Sequence, residues 1–174
     1  MGIPNLLTFL RIILIPVFIL LFYLPFRGSH VLAAIIFIFA AMTDWLDGYL
    51  ARSLGQVSKL GTFLDPVADK LIVVTALVLL VGDRVLPYLA IPAIVIICRE
   101  IMVSALREWM AEIGKRTRIA VTRIGKIKTT VQMLALILLL LYKPGAWFAL
   151  ALSGYLLLYL AALLTLWSMS LYLK

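Results

Sequence analysis

Long apolar runs alternate with short polar breaks along this chain, and the alternation predicts six helices, each about as long as a bilayer is thick. The first run covers residues 6–25 and contains Arg11 and Pro16. Phe26-Arg-Gly-Ser-His30 is the first break. The second run, 31–52, ends in acidic residues, and the third, 61–82, begins with them. Between them, Ser53 to Leu60 contains Gly55, Ser53 and Ser58, turn residues that suit a helix-to-helix connection. Gly82-Asp83-Arg84 marks the next turn, and Lys143-Pro-Gly-Ala146 separates the fifth run, 125–142, from the sixth, 147–170. The fourth run is 86–108. Residues 109–124 are too polar to span and read as an interfacial segment before the fifth helix. About 20 residues rising 1.5 Å each cover a hydrocarbon core of about 30 Å. Trp147 and Trp167 suit interfacial anchoring of the last run, and Asn5 is placed to cap the first helix. No basic stretch precedes the first run and no small-residue cleavage site lies near residue 25, so it reads as a retained span rather than a signal peptide. The fold class expected is an all-α integral membrane protein with six transmembrane helices, in one domain over 1–174.

Composition agrees with a membrane domain. Of 174 residues, 65% are hydrophobic and only 14% charged, where soluble domains carry about 25% charge. The mean hydropathy is +1.15. Cys98 is the one cysteine and His30 the one histidine, which excludes an internal disulfide, a zinc cluster and a His-based nucleophilic triad. The net charge is +8, and the cations flank the apolar runs, which favours anionic lipid and a phosphorylated substrate over nucleic acid. Arg52, Lys59, Arg107, Lys115, Arg116, Arg118, Arg123, Lys126, Lys128 and Lys174 would share one side of the membrane, against Arg27, Arg84 and Lys143 on the other. The richer side is expected to be cytoplasmic, with both termini.

Four of the eight acidic residues, Asp44, Asp47, Asp65 and Asp69, lie within or beside spanning runs. An ionised carboxylate costs about 2.5–3.5 kcal/mol at a membrane helix centre on insertion scales, and such residues are normally paired and functional. Four together repel unless cations lie between them, which points to a shared site for divalent metal. Asp44, Asp47, Gly48, Ala51 and Arg52 fall within an arc of about 140° on one helix, and Gly61, Asp65 and Asp69 within about 80° on the next. Folded as a hairpin, the helices would bring the aspartates to one depth, with Gly48, Ala51 and Gly61 leaving room for a bulky charged ligand. The structural alternative is helix capping, most plausible for Asp65 before Pro66, but capping does not explain the four together.

The pattern D-x2-D-G-x2-A-R-x8-G-x3-D-x3-D resembles the signature of the CDP-alcohol phosphotransferases, and Asp44, Asp47, Gly48, Ala51, Arg52, Gly61, Asp65 and Asp69 occupy every position of it. The resemblance implies two divalent cations, magnesium or manganese, held by Asp44, Asp47, Asp65 and Asp69. It implies a CDP-diacylglycerol donor, release of CMP, Asp69 as general base, and a homodimer. Gly48, Ala51, Arg52 and Gly61 would hold the nucleotide side. Asn5, Thr8 and Arg11 recur every three residues, and the resemblance has this polar face border the nucleotide; for Arg11 the structural alternative is snorkelling to the interface. The start, Pro4-Asn5-Leu-Leu-Thr8-Phe-Leu-Arg11, and the stretch from Arg99-Glu100 to Lys126-Ile-Lys128-Thr129-Thr130 resemble one branch of the family, bacterial enzymes that use sn-glycerol 3-phosphate as acceptor in the inner membrane.

A second constellation fits a phosphorylated acceptor. Arg99 lies about 12 Å deeper along its helix than Arg107, a depth similar to that expected for Asp44 and Asp69. Gly125, Lys128, Thr129 and Gln132 share a helical face. Arg99, Arg107, Lys128 and Thr129 are the candidate acceptor-phosphate residues, with deep cations facing the metal site. Alternatively Arg99 pairs with Glu100 or another carboxylate, and Lys115, Arg116 and Arg118 touch lipid head groups. Other acceptors (serine, an inositol phosphate, phosphatidylglycerol), a divalent-cation transporter and a lipid-binding scaffold are the competing functions.

Overall fold

The computed structural model describes residues 3–26, 28–54, 59–83, 86–112, 123–142 and 148–172, and the side chains of these except 3–5, 44–54, 59–63, 65–66, 107, 111, 123–126 and 170–172. Among them there are six elements, all α-helices: α1 (Ile3–Tyr23), α2 (Ser29–Leu54), α3 (Lys59–Gly82), α4 (Ala90–Glu112), α5 (Arg123–Leu141) and α6 (Phe148–Tyr172). They form two compact units, Met1–Gly82 and Asp83–Lys174.

In the first unit, α1 packs against both α2 and α3, and α2 also meets α3. The buried face of α1 carries Thr8, Arg11, Phe18 and Phe22, spaced by three, seven and four residues, so it begins polar and ends aromatic. Phe18 meets Phe37 of α2 with ring centroids 6.1 Å apart. The fully buried Ala33, Ala34, Ala40, Ala68 and Ala76 let helix backbones approach, the usual device where packing rather than water drives association. The helix α1 stops at Tyr23 because Pro25 disfavours helical geometry at Leu24. Asn5 lies inside α1 rather than capping it.

In the second unit, α6 packs against both α4 and α5. A Cβ on Gly154 of α6 would lie 2.8 Å from the Leu139 side chain of α5, so only glycine fits there without a shift. Gly154→Val is expected to destabilise the protein by about 1–3 kcal/mol through overpacking, read as a lower unfolding midpoint in detergent.

The fourth helix starts at Ala90, not at 86 as hydropathy predicted. Tyr88 has φ 65°, a left-handed conformation that an α-helix cannot continue. Tyr155 and Tyr159, one turn apart on α6, fix this turn by donating to the carbonyls of Pro87 at 2.5 Å and Tyr88 at 2.9 Å. The far end of α4 also differs from expectation. Trp109 to Glu112 continue the helix instead of opening an interfacial segment, and Arg123 and Ile124 belong to α5. The middle of that expected segment, 113–122, lies outside the described residues, as do Trp147 and the cations Arg27, Arg84, Lys115, Arg116, Arg118, Lys143 and Lys174.

Two helices among the described residues are long and apolar enough to cross a membrane, Leu6–Tyr23 and Phe148–Met169; Ser29–Thr43 and Ile127–Leu141 are shorter apolar stretches. The outer faces of α1 and α6 expose Ile13, Leu20, Leu156 and Leu163 at 61–66%. Water-soluble monomers rarely present large contiguous apolar surface, so lipid is the natural neighbour of these faces.

Candidate active site

The aspartates are carried near the junction of α2 and α3. Counting back from Leu54, Asp47 and Asp44 lie about 10 and 15 Å from the end of α2. Counting on from Lys59, Asp65 and Asp69 lie about 9 and 15 Å from the start of α3. With α2 meeting α3, these helices hold the two pairs at matching distances from their connection. The side chains of Asp44, Asp47, Gly48, Ala51, Arg52, Gly61 and Asp65 lie outside the described set, so their expected roles rest on these backbone positions. Asp65 is internal to α3, six residues past its first residue, which removes the capping alternative. Pro66 is internal too, and lacks the N–H that would bond the Thr62 carbonyl. Asp69 is half-buried, beside the fully buried Ala68. Just before Asp44, the buried Thr43 hydroxyl donates to the Ala40 carbonyl at 2.7 Å, a local back-bond that keeps it within its own helix. Carboxylates alone form a hard-oxygen donor set, and their i, i+3 and i, i+4 spacing on adjoining helices fits magnesium or manganese.

Thr8 and Arg11 bring polar groups inward from α1, each 0% exposed. Arg11 therefore does not snorkel to an interface. The only acidic residues between Met1 and Gly82 are the four aspartates, so any carboxylate that answers Arg11 within its unit comes from that set. Removing one member of a buried ionic arrangement costs about 3–5 kcal/mol. Arg11→Ala is expected to lower the detergent unfolding midpoint accordingly, and an unchanged midpoint would contradict its burial as a charged group.

The second unit holds a polar cluster that joins α4, α5 and α6. Arg99 and Glu100 come from α4, Lys128 from α5, and Ser168 from α6. Arg99 Nη1 donates to Glu100 Oε1 at 3.2 Å, and Lys128 Nζ donates to the same oxygen. Arg99 Nη2 donates to Ser168 Oγ at 3.0 Å, and Ser168 Oγ donates to the Thr165 carbonyl at 2.9 Å. Arg99, Lys128 and Ser168 are all buried. The pairing of Arg99 with Glu100 is thus present, as the structural alternative had it. The face expected to carry Lys128, Thr129 and Gln132 together is divided: Lys128 and Gln132 are buried, while Thr129 is exposed because it sits about 100° further round α5. The Arg107 side chain lies outside the described set.

Comparison with known proteins assigns the chain to a family. The family model for CDP-alcohol phosphatidyltransferase matches residues 1–167. The chain belongs to this family. It is 53% identical over 173 residues to the CDP-diacylglycerol--glycerol-3-phosphate 3-phosphatidyltransferase of Salmonella typhimurium strain LT2, covering 99% of this chain and 93% of the relative. It is 54% identical, with the same coverage, to the protein of that name from Escherichia coli strain K12.

For a CDP-alcohol phosphatidyltransferase, the aspartates were the readable part, and Ser168 the part that sequence reasoning missed. The one available signal was weak. Thr165 and Ser168 are spaced by three on an otherwise apolar helix, both buried. Glu100 was weighed only as a neighbour of Arg99, and its contact with Lys128, 28 residues away, depends on how the helices pack.

Proposed function

We infer that this chain transfers the phosphatidyl group of CDP-diacylglycerol to sn-glycerol 3-phosphate, yielding phosphatidylglycerophosphate and CMP. The observation that carries this is similarity over nearly the whole chain to relatives named for that reaction, together with an intact eight-position aspartate signature.

Asp44, Asp47, Asp65 and Asp69 would hold two divalent cations. Bound there, magnesium or manganese supplies charge neutralisation for the pyrophosphate and for both the attacking and leaving oxygens. Gly48, Ala51, Arg52 and Gly61, with Asn5 and Thr8, would bind the nucleotide side of the donor. Asp69 takes the proton of the acceptor hydroxyl as general base. That hydroxyl oxygen forms a bond to the lipid-side phosphorus, the bond from this phosphorus to the bridging oxygen breaks, and the electron pair leaves with CMP. Arg99, Arg107 and Lys128 orient the acceptor through its phosphate. Phosphoryl transfer gains most from positioning and electrostatics of this kind.

In this reading the chain is one catalytic domain in a bacterial inner membrane, and a family model spanning both compact units supports that unity. All six helices cross the bilayer. Support comes from their lengths of 19 to 26 residues, or about 28–39 Å, and from the exposed apolar faces. The excess of cations beside one set of helix ends supports cytoplasmic termini and a cytoplasmic active site. Lys115, Arg116 and Arg118 would contact anionic lipid. The enzyme would work as a homodimer, as the family resemblance implies.

The lipid product tests this function. Purified protein incubated with CDP-diacylglycerol, magnesium and glycerol 3-phosphate is expected to form a lipid with the mass of phosphatidylglycerophosphate. Any other lipid product, or metal flux into liposomes without product, would replace the inference.

A further inference from the structure

Taking Arg99 and Lys128 as acceptor-phosphate residues, as inferred above, we propose that Glu100 sets acceptor selectivity. Its carboxylate holds the two cations in the position that the acceptor's phosphate occupies, and the acceptor binds by displacing it.

One oxygen, Glu100 Oε1, accepts from both Lys128 Nζ and Arg99 Nη1. A phosphate oxygen makes the same charge-assisted contacts with lysine and arginine. The three side chains differ in access: 5% for Lys128, 9% for Arg99 and 25% for Glu100. The carboxylate is therefore the most open member, and the two cations are the more buried ones. Arg99 remains anchored when Glu100 leaves, since its other terminal nitrogen donates to Ser168 Oγ. Ser168 is itself buried and tied to the Thr165 carbonyl. Glu100 and Arg99 are adjacent on α4, about 100° apart round the helix, so their contact is made between side chains that leave the helix in different directions.

The selectivity follows from charge. Glu100 leaving takes a carboxylate away from two buried cations, and an incoming anion compensates for that loss. A phosphate brings one, so a phosphorylated acceptor can displace Glu100. A neutral alcohol brings none and leaves the clamp closed. Rejecting the wrong ligand by a built-in competitor lowers affinity for the right one too. If the open arrangement is populated at about 10%, apparent acceptor affinity is lowered about tenfold.

The test is Glu100→Gln, which keeps the shape and removes the charge, assayed as purified full-length protein in detergent with CDP-diacylglycerol and magnesium. The KM for glycerol 3-phosphate is expected to fall about tenfold. Inorganic phosphate should become a stronger competitive inhibitor against glycerol 3-phosphate by a similar factor, with the KM for CDP-diacylglycerol unmoved. A purely structural role would lower stability without tightening phosphate. A KM for glycerol 3-phosphate that rises or stays put, with phosphate inhibition unchanged, overturns the proposal. Should Glu100→Gln not fold, Glu100→Asp keeps the charge with a shorter reach; a smaller fall in the same KM supports the proposal, and none overturns it. Lys128→Met is measured alongside. If it leaves the KM for glycerol 3-phosphate unchanged, the assignment of the phosphate site fails and the proposal with it. If it raises that KM while Glu100→Gln does not lower it, only the role of Glu100 fails.

Discussion

Asp69→Asn is expected to lower kcat by about 10²- to 10⁴-fold, the usual worth of a positioned general base, while the protein still folds. Asparagine matches aspartate in shape but cannot take a proton from the acceptor hydroxyl. The position is half-buried within α3, so the isosteric change leaves Ala68 and Ile72 packed as before. A cooperative melt of the metal-free variant is therefore expected. Steady-state turnover and a thermal melt in EDTA measure both halves. Near-normal turnover in well-folded Asp69→Asn would remove Asp69 from the chemistry.

Withdrawal of divalent cations is the second large effect. With EDTA, turnover is expected to fall to background, and magnesium or manganese should restore it. The donor set motivates this: two carboxylates on α2 and two on α3, at matching distances from the junction, with no histidine or cysteine among them. Hard oxygen donors of this kind favour those two metals. A ligand that binds only the folded protein also stabilises it, by about 2.7 kcal/mol at a hundredfold excess over its dissociation constant. The melting midpoint should therefore rise with magnesium in the parent and less in Asp69→Asn. Turnover that survives EDTA would contradict a metal-dependent site.

The aspartates were legible because they are chemically out of place. Asp44 and Asp47 interrupt an apolar run at helical spacing, and so do Asp65 and Asp69, which a stretch of membrane helix tolerates only for a reason. Apolar runs also marked the six helices among the described residues. Their ends were harder. Pro87 and Tyr88 sit in an apolar stretch, and hydropathy carries no information about the left-handed backbone that delays α4 to Ala90. At the other end, Trp109 to Glu112 open the polar stretch 109–124 yet remain in α4, since a helix need not stop where an apolar run does. The burial of Arg11 was equally hidden. A cation six residues into a span can reach the interface or turn inward, and only the packing of α1 against α2 and α3 decides. The cluster of Arg99, Glu100, Lys128 and Ser168 joins residues up to 69 positions apart, and no local pattern records such a contact.

The most direct test of the central claim is CMP release by the purified protein with CDP-diacylglycerol and magnesium, offering glycerol 3-phosphate, glycerol, serine, myo-inositol phosphate and phosphatidylglycerol in separate reactions. Release with glycerol 3-phosphate alone is the predicted result. Release with a different acceptor would retain the chemistry and contradict the substrate, and no release with any of them from folded protein would contradict the phosphatidyltransferase function itself.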